Sequence, residues 1–220
     1  MLLYEADGIR LYQGDCREQT DWLDADLLVT DPPYGIRWST SGLKSRRWRD
    51  APGIHGDGST AIRDEALSLW GDRPAVVFGS LKREPPVGTK QTLVYRKPPG
   101  CGWRSTHAGF RYDLEMVFLV GPWPTGYGGR SSLLETGVRC LTGRYGLAAR
   151  SGHPHAKPVD VLELLISLWP GTVADPFCGS GSTLVAARNL GRPAVGVEIT
   201  AGYAERSVER LCEMIPASTS

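Results

Sequence analysis

The chain holds 220 residues, 41% of them hydrophobic and 22% charged, with 25 Lys and Arg against 24 Asp and Glu for a net charge of +1. These values exclude a wholly disordered chain, a coiled coil and a collagen, and at roughly 150 residues per domain they allow one domain or a little more. No apolar run of about 18 residues is present, so no membrane span is expected, and the opening MLLYEADGIR lacks the basic start and apolar stretch of a secretory leader.

Counts of 27 Gly and 16 Pro imply many turns and functional loops. Cysteines stand at positions 16, 101, 140, 178 and 212. The number is odd and no pair has metal-ligand spacing, so neither a disulfide framework nor a metal site is suggested. The default compartment is a reducing, cytoplasmic one.

In chain order, Ile9–Gln13 alternates and predicts a short strand ending at Gly14-Asp15. Cys16 to Leu23 allows one or two helical turns. Asp26 to Thr30 reads as a strand, stopped by Asp31-Pro32-Pro33-Tyr34. Residues 35–60 lack periodicity and read as a long loop, functional or mobile at that length. A helix is predicted over Ile62 to Leu69, then strands over Ala75–Phe78, Gln91–Arg96 and Leu114–Val120. Residues 121–152 form a second irregular stretch. Pro158 opens a helix running to Leu168, with Val159, Leu162, Leu165 and Ile166 on a helical period. Thr172–Ala174 is a strand, Gly181–Leu190 a helix opening on a Gly-rich turn, Ala194–Val197 a strand, and Tyr203–Met214 a final helix. Strands alternating with helices predict an α/β doubly wound sheet.

Charge is unevenly spread. Residues 1–35 hold two basic groups and eight acidic ones, whereas 36–49 hold Arg37, Lys44, Arg46, Arg47 and Arg49 with no acid. Residues 121–157 hold Arg130, Arg139, Arg144, Arg150 and Lys157 against Glu135 alone. Two basic segments on a near-neutral chain point to a polyanion-facing surface.

Two motifs bear chemistry. The first is Asp175-Pro176-Phe177-Cys178-Gly179-Ser180-Gly181-Ser182-Thr183, between a strand and a helix. Its small residues let a backbone approach a ligand closely. Glu198 ends the next strand, where an acid can take both hydroxyls of a ribose. A phosphate-binding loop wants Lys before Ser or Thr, and a nicotinamide site wants a third Gly where Leu184 stands. A nucleoside ligand without pyrophosphate, such as S-adenosylmethionine, tolerates both absences. The second motif is Asp31-Pro32-Pro33-Tyr34, whose stiff turn sets an acid, a free carbonyl and an aromatic ring on one rim.

Together these motifs resemble those of the amino-methyltransferases that methylate exocyclic nitrogens of DNA bases. Asp31-Pro32-Pro33-Tyr34 resembles their catalytic tetrapeptide, and the Asp175–Thr183 run their cofactor motif. The catalytic motif comes first, the permuted order of the β-class DNA methyltransferases. Gly14-Asp15 resembles the element whose acid lies near the cofactor adenine, and Thr92–Pro98 the strand that often reads W-x-K. Glu115 opens a strand similar to the family's E-x-h-h-x-h element, and Lys157-Pro158 is similar to the element closing over the methionine end of the cofactor.

The resemblance implies a doubly wound, mostly parallel, seven-stranded methyltransferase-like sheet forming one domain over 1–220. Within it, 36–60 is expected as a mobile basic loop and 121–152 as a small target-recognition insertion. It implies S-adenosyl-L-methionine as cofactor, DNA as partner and no membrane, with monomer and homodimer both open. Compact solitary methylases of this type resemble those of prokaryotes and their phages.

Expected catalytic residues are Asp31, Pro32, Pro33 and Tyr34. Expected cofactor contacts are Asp15, Lys157, Asp175, Pro176, Phe177, Gly179, Ser180, Gly181, Ser182, Thr183 and Glu198. Arg37, Arg46, Arg47, Arg130, Arg139 and Arg144 are expected on DNA. Asp at the head of the tetrapeptide favours adenine N6 over cytosine N4. A non-catalytic DNA-binding subunit, an RNA substrate and a nicotinamide oxidoreductase stand as the alternatives.

Overall fold

The computed structural model describes residues 1–38, 54–99, 101, 103–104, 108–126, 128–137 and 156–213. Strands β1 (Leu2–Ala6) and β2 (Ile9–Gln13) form a hairpin, followed by a short 3-10 turn at Asp21–Asp24 and β3 (Leu27–Thr30). Helix α1 (Ala61–Trp70) leads to β4 (Ala75–Gly79) and β5 (Thr89–Arg96). Short strands β6 (Trp103–Arg104) and β7 (Arg111–Tyr112) precede β8 (Leu114–Val120) and β9 (Leu133–Glu135). The chain ends in α2 (Val159–Ile166), β10 (Val173–Asp175), α3 (Ser182–Asn189), β11 (Ala194–Glu198) and α4 (Ala201–Glu213).

Among the described residues, nine strands form one sheet in the order β1-β2-β11-β10-β3-β4-β8-β5-β9, two more than the seven expected. The centre from β2 to β4 is parallel throughout, and β8 enters antiparallel to both β4 and β5. The doubly wound class therefore holds, while hairpin β1 and the short β9 widen the sheet at its edges. The central strands are unbroken apolar runs because both of their faces are covered: every residue of β3, β4, β10 and β11 is buried.

The buried side chains divide between the two faces. On one, Val161, Leu162, Leu165 and Ile166 of α2 pack with Leu184–Ala187 of α3 and Leu211 of α4. On the other, Trp22 stacks on Trp70 of α1, with ring centroids 5.9 Å apart. Strand β3 runs on through α1 to β4 on one side, and β10 through α3 to β11 on the other. The boundary between β3 and β10 is thus a topological switch point, where open α/β sheets form a crevice beyond the carboxyl ends of their strands.

The described residues between 121 and 137 are more ordered than their sequence suggests. Strand β9 pairs parallel to β5. Trp123 meets Trp169 edge-on at 5.7 Å, and Thr136 and Gly137 donate hydrogen bonds to Asp160 at the start of α2. Cys101 is disulfide-bonded, which the cysteine spacing had not suggested, whereas Cys16, Cys178 and Cys212 are free. Among the described residues no helix is long and apolar enough to cross a membrane.

Candidate active site

Both motifs open at the switch point. Asp31 follows the last residue of β3, and Asp175 is the last residue of its parallel neighbour β10. They are joined directly: Thr30 Oγ1 donates to Asp175 Oδ1 at 2.7 Å. Phe177 N–H donates to the same oxygen at 3.1 Å, so this carboxyl fixes the first bend of the Gly-rich turn. Burial pushes Asp175 up to about 7, against the hydrogen bonds from Thr183, Thr30 and Phe177.

The Gly-rich turn is braced from behind. Gly179 and Gly181 have φ of 53° and 77°, the left-handed region that favours glycine. A Cβ at Gly181 would stand 2.7 Å from Ser207 Oγ. That hydroxyl donates to Gly179 O at 2.9 Å. Arg210 of α4 donates to Ser180 O and, at 3.2 Å, to the hydroxyls of both Ser180 and Ser182. Burial pulls Arg210 down to about 10, so it stays cationic at neutral pH. The Ser180 and Ser182 hydroxyls are thus held from the α4 side by Arg210.

The acids at the neighbouring strand ends complete the rim. Glu198 ends β11 and is buried; its Oε2 accepts from Gly179 N at 2.9 Å and its Oε1 from Thr200 N at 2.8 Å. Burial raises its pKa, and those backbone N–H groups oppose the rise. Gln13 of β2 lies in register with Glu198, which brings Asp15 to the same edge. Arg17 holds Asp15 through its backbone N–H and guanidinium and lowers its pKa. Pro176, Thr183, Pro32 and Pro33 are buried, and Phe177 is half-buried.

At the Asp31 corner the expected residues meet. Tyr34 Oη donates to Asp31 Oδ1 at 2.6 Å. Lys157, expected at the cofactor, donates a hydrogen bond to Asp31 Oδ2 and lies 3.3 Å from Glu115 Oε2. Burial pushes Asp31 up while the Lys157 ammonium opposes it. Burial also pulls Lys157 down, but Asp31 and Glu115 more than reverse this, so the ammonium persists.

Sequence reasoning missed the groups that set this corner. Asp57 is buried and accepts from the backbone N–H of Gly35 and Trp38, both at 2.6 Å, and of Ile36 at 3.2 Å. Arg83 donates to Gly35 O. The run Gly56-Asp57-Gly58 was the available signal for such a turn clamp. For Arg210 the signal was weaker, a buried Ser207 in the apolar stripe of Ala204 and Leu211. Of the expected DNA contacts, Arg37 and Arg130 are exposed, and Arg46, Arg47, Arg139 and Arg144 lie outside the described residues.

Residues 123–209 match the N6/N4 methyltransferase family, described as DNA methylase. The chain is 26% identical over 219 residues to YubD, a proposed methylase of Escherichia coli (strain K12), covering 92% of this chain and 89% of that one. It is 43% identical over 65 residues to the type II methyltransferase M.ScaI of Streptomyces caespitosus, spanning 28% of this chain and only 21% of that protein. The fold is similar to that in the crystal structure of the M1.HpyAVI–SAM complex, with a TM-score of 0.63 at 21% identity, covering 92% of this chain and 98% of that one. PvuII DNA methyltransferase, cytosine-N4-specific by its description, gives 0.63 at 17% identity over 96% of this chain and 88% of its own.

Proposed function

We propose that this relative of the N6-adenine and N4-cytosine DNA amino-methyltransferases moves a methyl group from S-adenosylmethionine to the exocyclic amino nitrogen of a DNA base, adenine N6 by preference. The observation that supports this most is the 2.7 Å hydrogen bond from Thr30 to Asp175, which ties the Asp31–Tyr34 corner to the Gly-rich turn across adjacent strands.

The donor set fits the cofactor. Left-handed φ at Gly179 and Gly181 lets the turn's backbone approach a ligand closely, and Glu198, whose oxygens accept backbone N–H groups at the adjoining strand end, is the acid read as taking the ribose hydroxyls. Asp15, at the adjoining strand end, is read as the acid toward the adenine. When bound, the cofactor supplies an electrophilic methyl on a sulfonium.

An exocyclic amino nitrogen is a poor nucleophile because its lone pair is delocalised into the ring. Asp31 and the Pro32 carbonyl accept its two N–H groups and localise that pair. Acceptors placed where charge develops in a dry site contribute on the order of 3 kcal/mol each. Tyr34, its hydroxyl held by Asp31, sets its ring as a stacking face. The amine acquires acidity as it is methylated, so Asp31 need not be a strong base. A duplex hides the amino group, so the base must leave the stack, at a cost of a few kcal/mol offset by contacts in the pocket. Asp at the head of the tetrapeptide supports adenine.

Plasmid DNA incubated with labelled S-adenosylmethionine and digested to nucleosides tests this reading. The expected product is N6-methyladenine, and the Asp31→Ala variant is expected to lose transfer by about 10²–10³-fold with cofactor affinity retained. N4-methylcytosine alone would overturn the base assignment, and absence of any methylated base would favour a non-catalytic DNA-binding subunit.

A further inference from the structure

Four charged groups stand in an alternating row behind the Asp31 corner. Lys97 Nζ lies 2.6 Å from Glu115 Oε1, Glu115 Oε2 lies 3.3 Å from Lys157 Nζ, and Lys157 donates to Asp31 Oδ2. They come from four separate places: the end of β5, the start of β8, the residue before Pro158, and the end of β3. The Lys157 and Glu115 side chains are only 7% and 11% exposed. The rings of Phe78 and Tyr34 flank the ammonium, with centroids at 5.2 and 5.6 Å.

This arrangement sets a competition. The Lys157 ammonium already donates to the carboxylate that a target amino group would need. An ammonium confined to Asp31 would blunt that carboxylate as an acceptor, while removing the ammonium would leave Asp31 facing the like charge of Glu115 in a dry site. Glu115 gives the ammonium a second place to go. The row holds two cations and two anions, so a shift of Lys157 along it brings no net charge into or out of the pocket.

Resting on the function proposed above, we infer that Glu115 is a positioning residue for methyl transfer: it draws the Lys157 ammonium away from Asp31 as the target amino group takes that place. Lys157 thus counters the charge of Asp31, and Glu115 frees that carboxylate for substrate. Burial and Glu115 both push Asp31 toward protonation, and Lys157 opposes them. The other titratable groups facing this row are Tyr34, Tyr95 and Asp175.

The test is a pH–rate profile of transfer to DNA at saturating cofactor and substrate, with cofactor affinity measured in parallel. In Glu115→Gln the like charge beside Asp31 is gone, so the acid limb should move to lower pH. Its plateau rate should nevertheless fall at least tenfold, because the ammonium stays on Asp31, with cofactor affinity within twofold of the parent. Glu115→Asp keeps the charge and should recover part of that plateau. Lys157→Met gives an independent reading: loss of the counter-charge should move the acid limb upward by one pH unit or more. An acid limb that stays in place in either Glu115→Gln or Lys157→Met overturns the inference, as does a Glu115→Gln plateau equal to that of the parent. A parent protein that methylates no DNA defeats the underlying functional reading instead, so the two failures are distinguishable.

Discussion

Asp175 sits at the junction of the two motifs and is 2% exposed. Its pKa of about 7 in the fold contrasts with about 3.9 for a free aspartate side chain. Between those pH values the folded chain holds a proton that the unfolded chain has lost. The contribution favours folding below the lower value and is lost as pH rises through the upper one; at its largest it amounts to about 4 kcal/mol. Asp175→Asn keeps the oxygen that accepts from Thr30 and Phe177 but cannot ionise. Stability measured by denaturant titration should therefore decline less between acid and neutral pH in this variant than in the parent. Parallel curves for the two proteins would contradict the assignment of that proton to Asp175.

The Gly-rich turn shows how elements hold one another. Strand β10 ends, the chain bends through two left-handed glycines, and α3 begins, but the bend is fixed by Arg210 and Ser207 from α4. Arg210→Met removes a buried cation from three acceptors. It should lower stability by about 1–3 kcal/mol and weaken S-adenosylmethionine binding, read by chemical denaturation and calorimetry. Unchanged values in both would show that α4 does not brace the turn.

The local elements here were largely legible, because strand, glycine turn and helix each leave a signal within a few residues. Partners from elsewhere were not: Thr30 and Asp175 lie 145 positions apart, and only the parallel pairing of β3 with β10 joins them. Hairpin β1–β2 is a different case. Asp7-Gly8, with φ of 51° and 76°, is a favoured hairpin turn, but Leu2-Leu3-Tyr4 does not alternate and masked the strand before it. Three-residue β9 is too short for any period to appear.

Across the whole molecule, acidic groups gather in the first 35 residues and cations in two later segments, with little net charge. Asp57 and Arg83 fix the chain just after the Asp31–Tyr34 corner and leave Arg37 exposed beside it. A phosphate contact there adds affinity without sequence information. Arg37→Ala should weaken DNA binding about equally across sequences and reduce the salt slope of binding by roughly one unit. A slope unchanged by the substitution would remove Arg37 from the DNA surface.

The architecture makes one geometric demand, that the crevice between β3 and β10 hold both reacting partners. A crystal structure of the protein with S-adenosylmethionine measures this directly. A target nitrogen bonded to Asp31 must lie about 3 Å from the methyl carbon, so that carbon should be found within about 6 Å of the Asp31 carboxylate, with the ribose at Glu198. A cofactor seated away from the Gly179–Gly181 bend, or with its methyl turned from Asp31, would contradict the account.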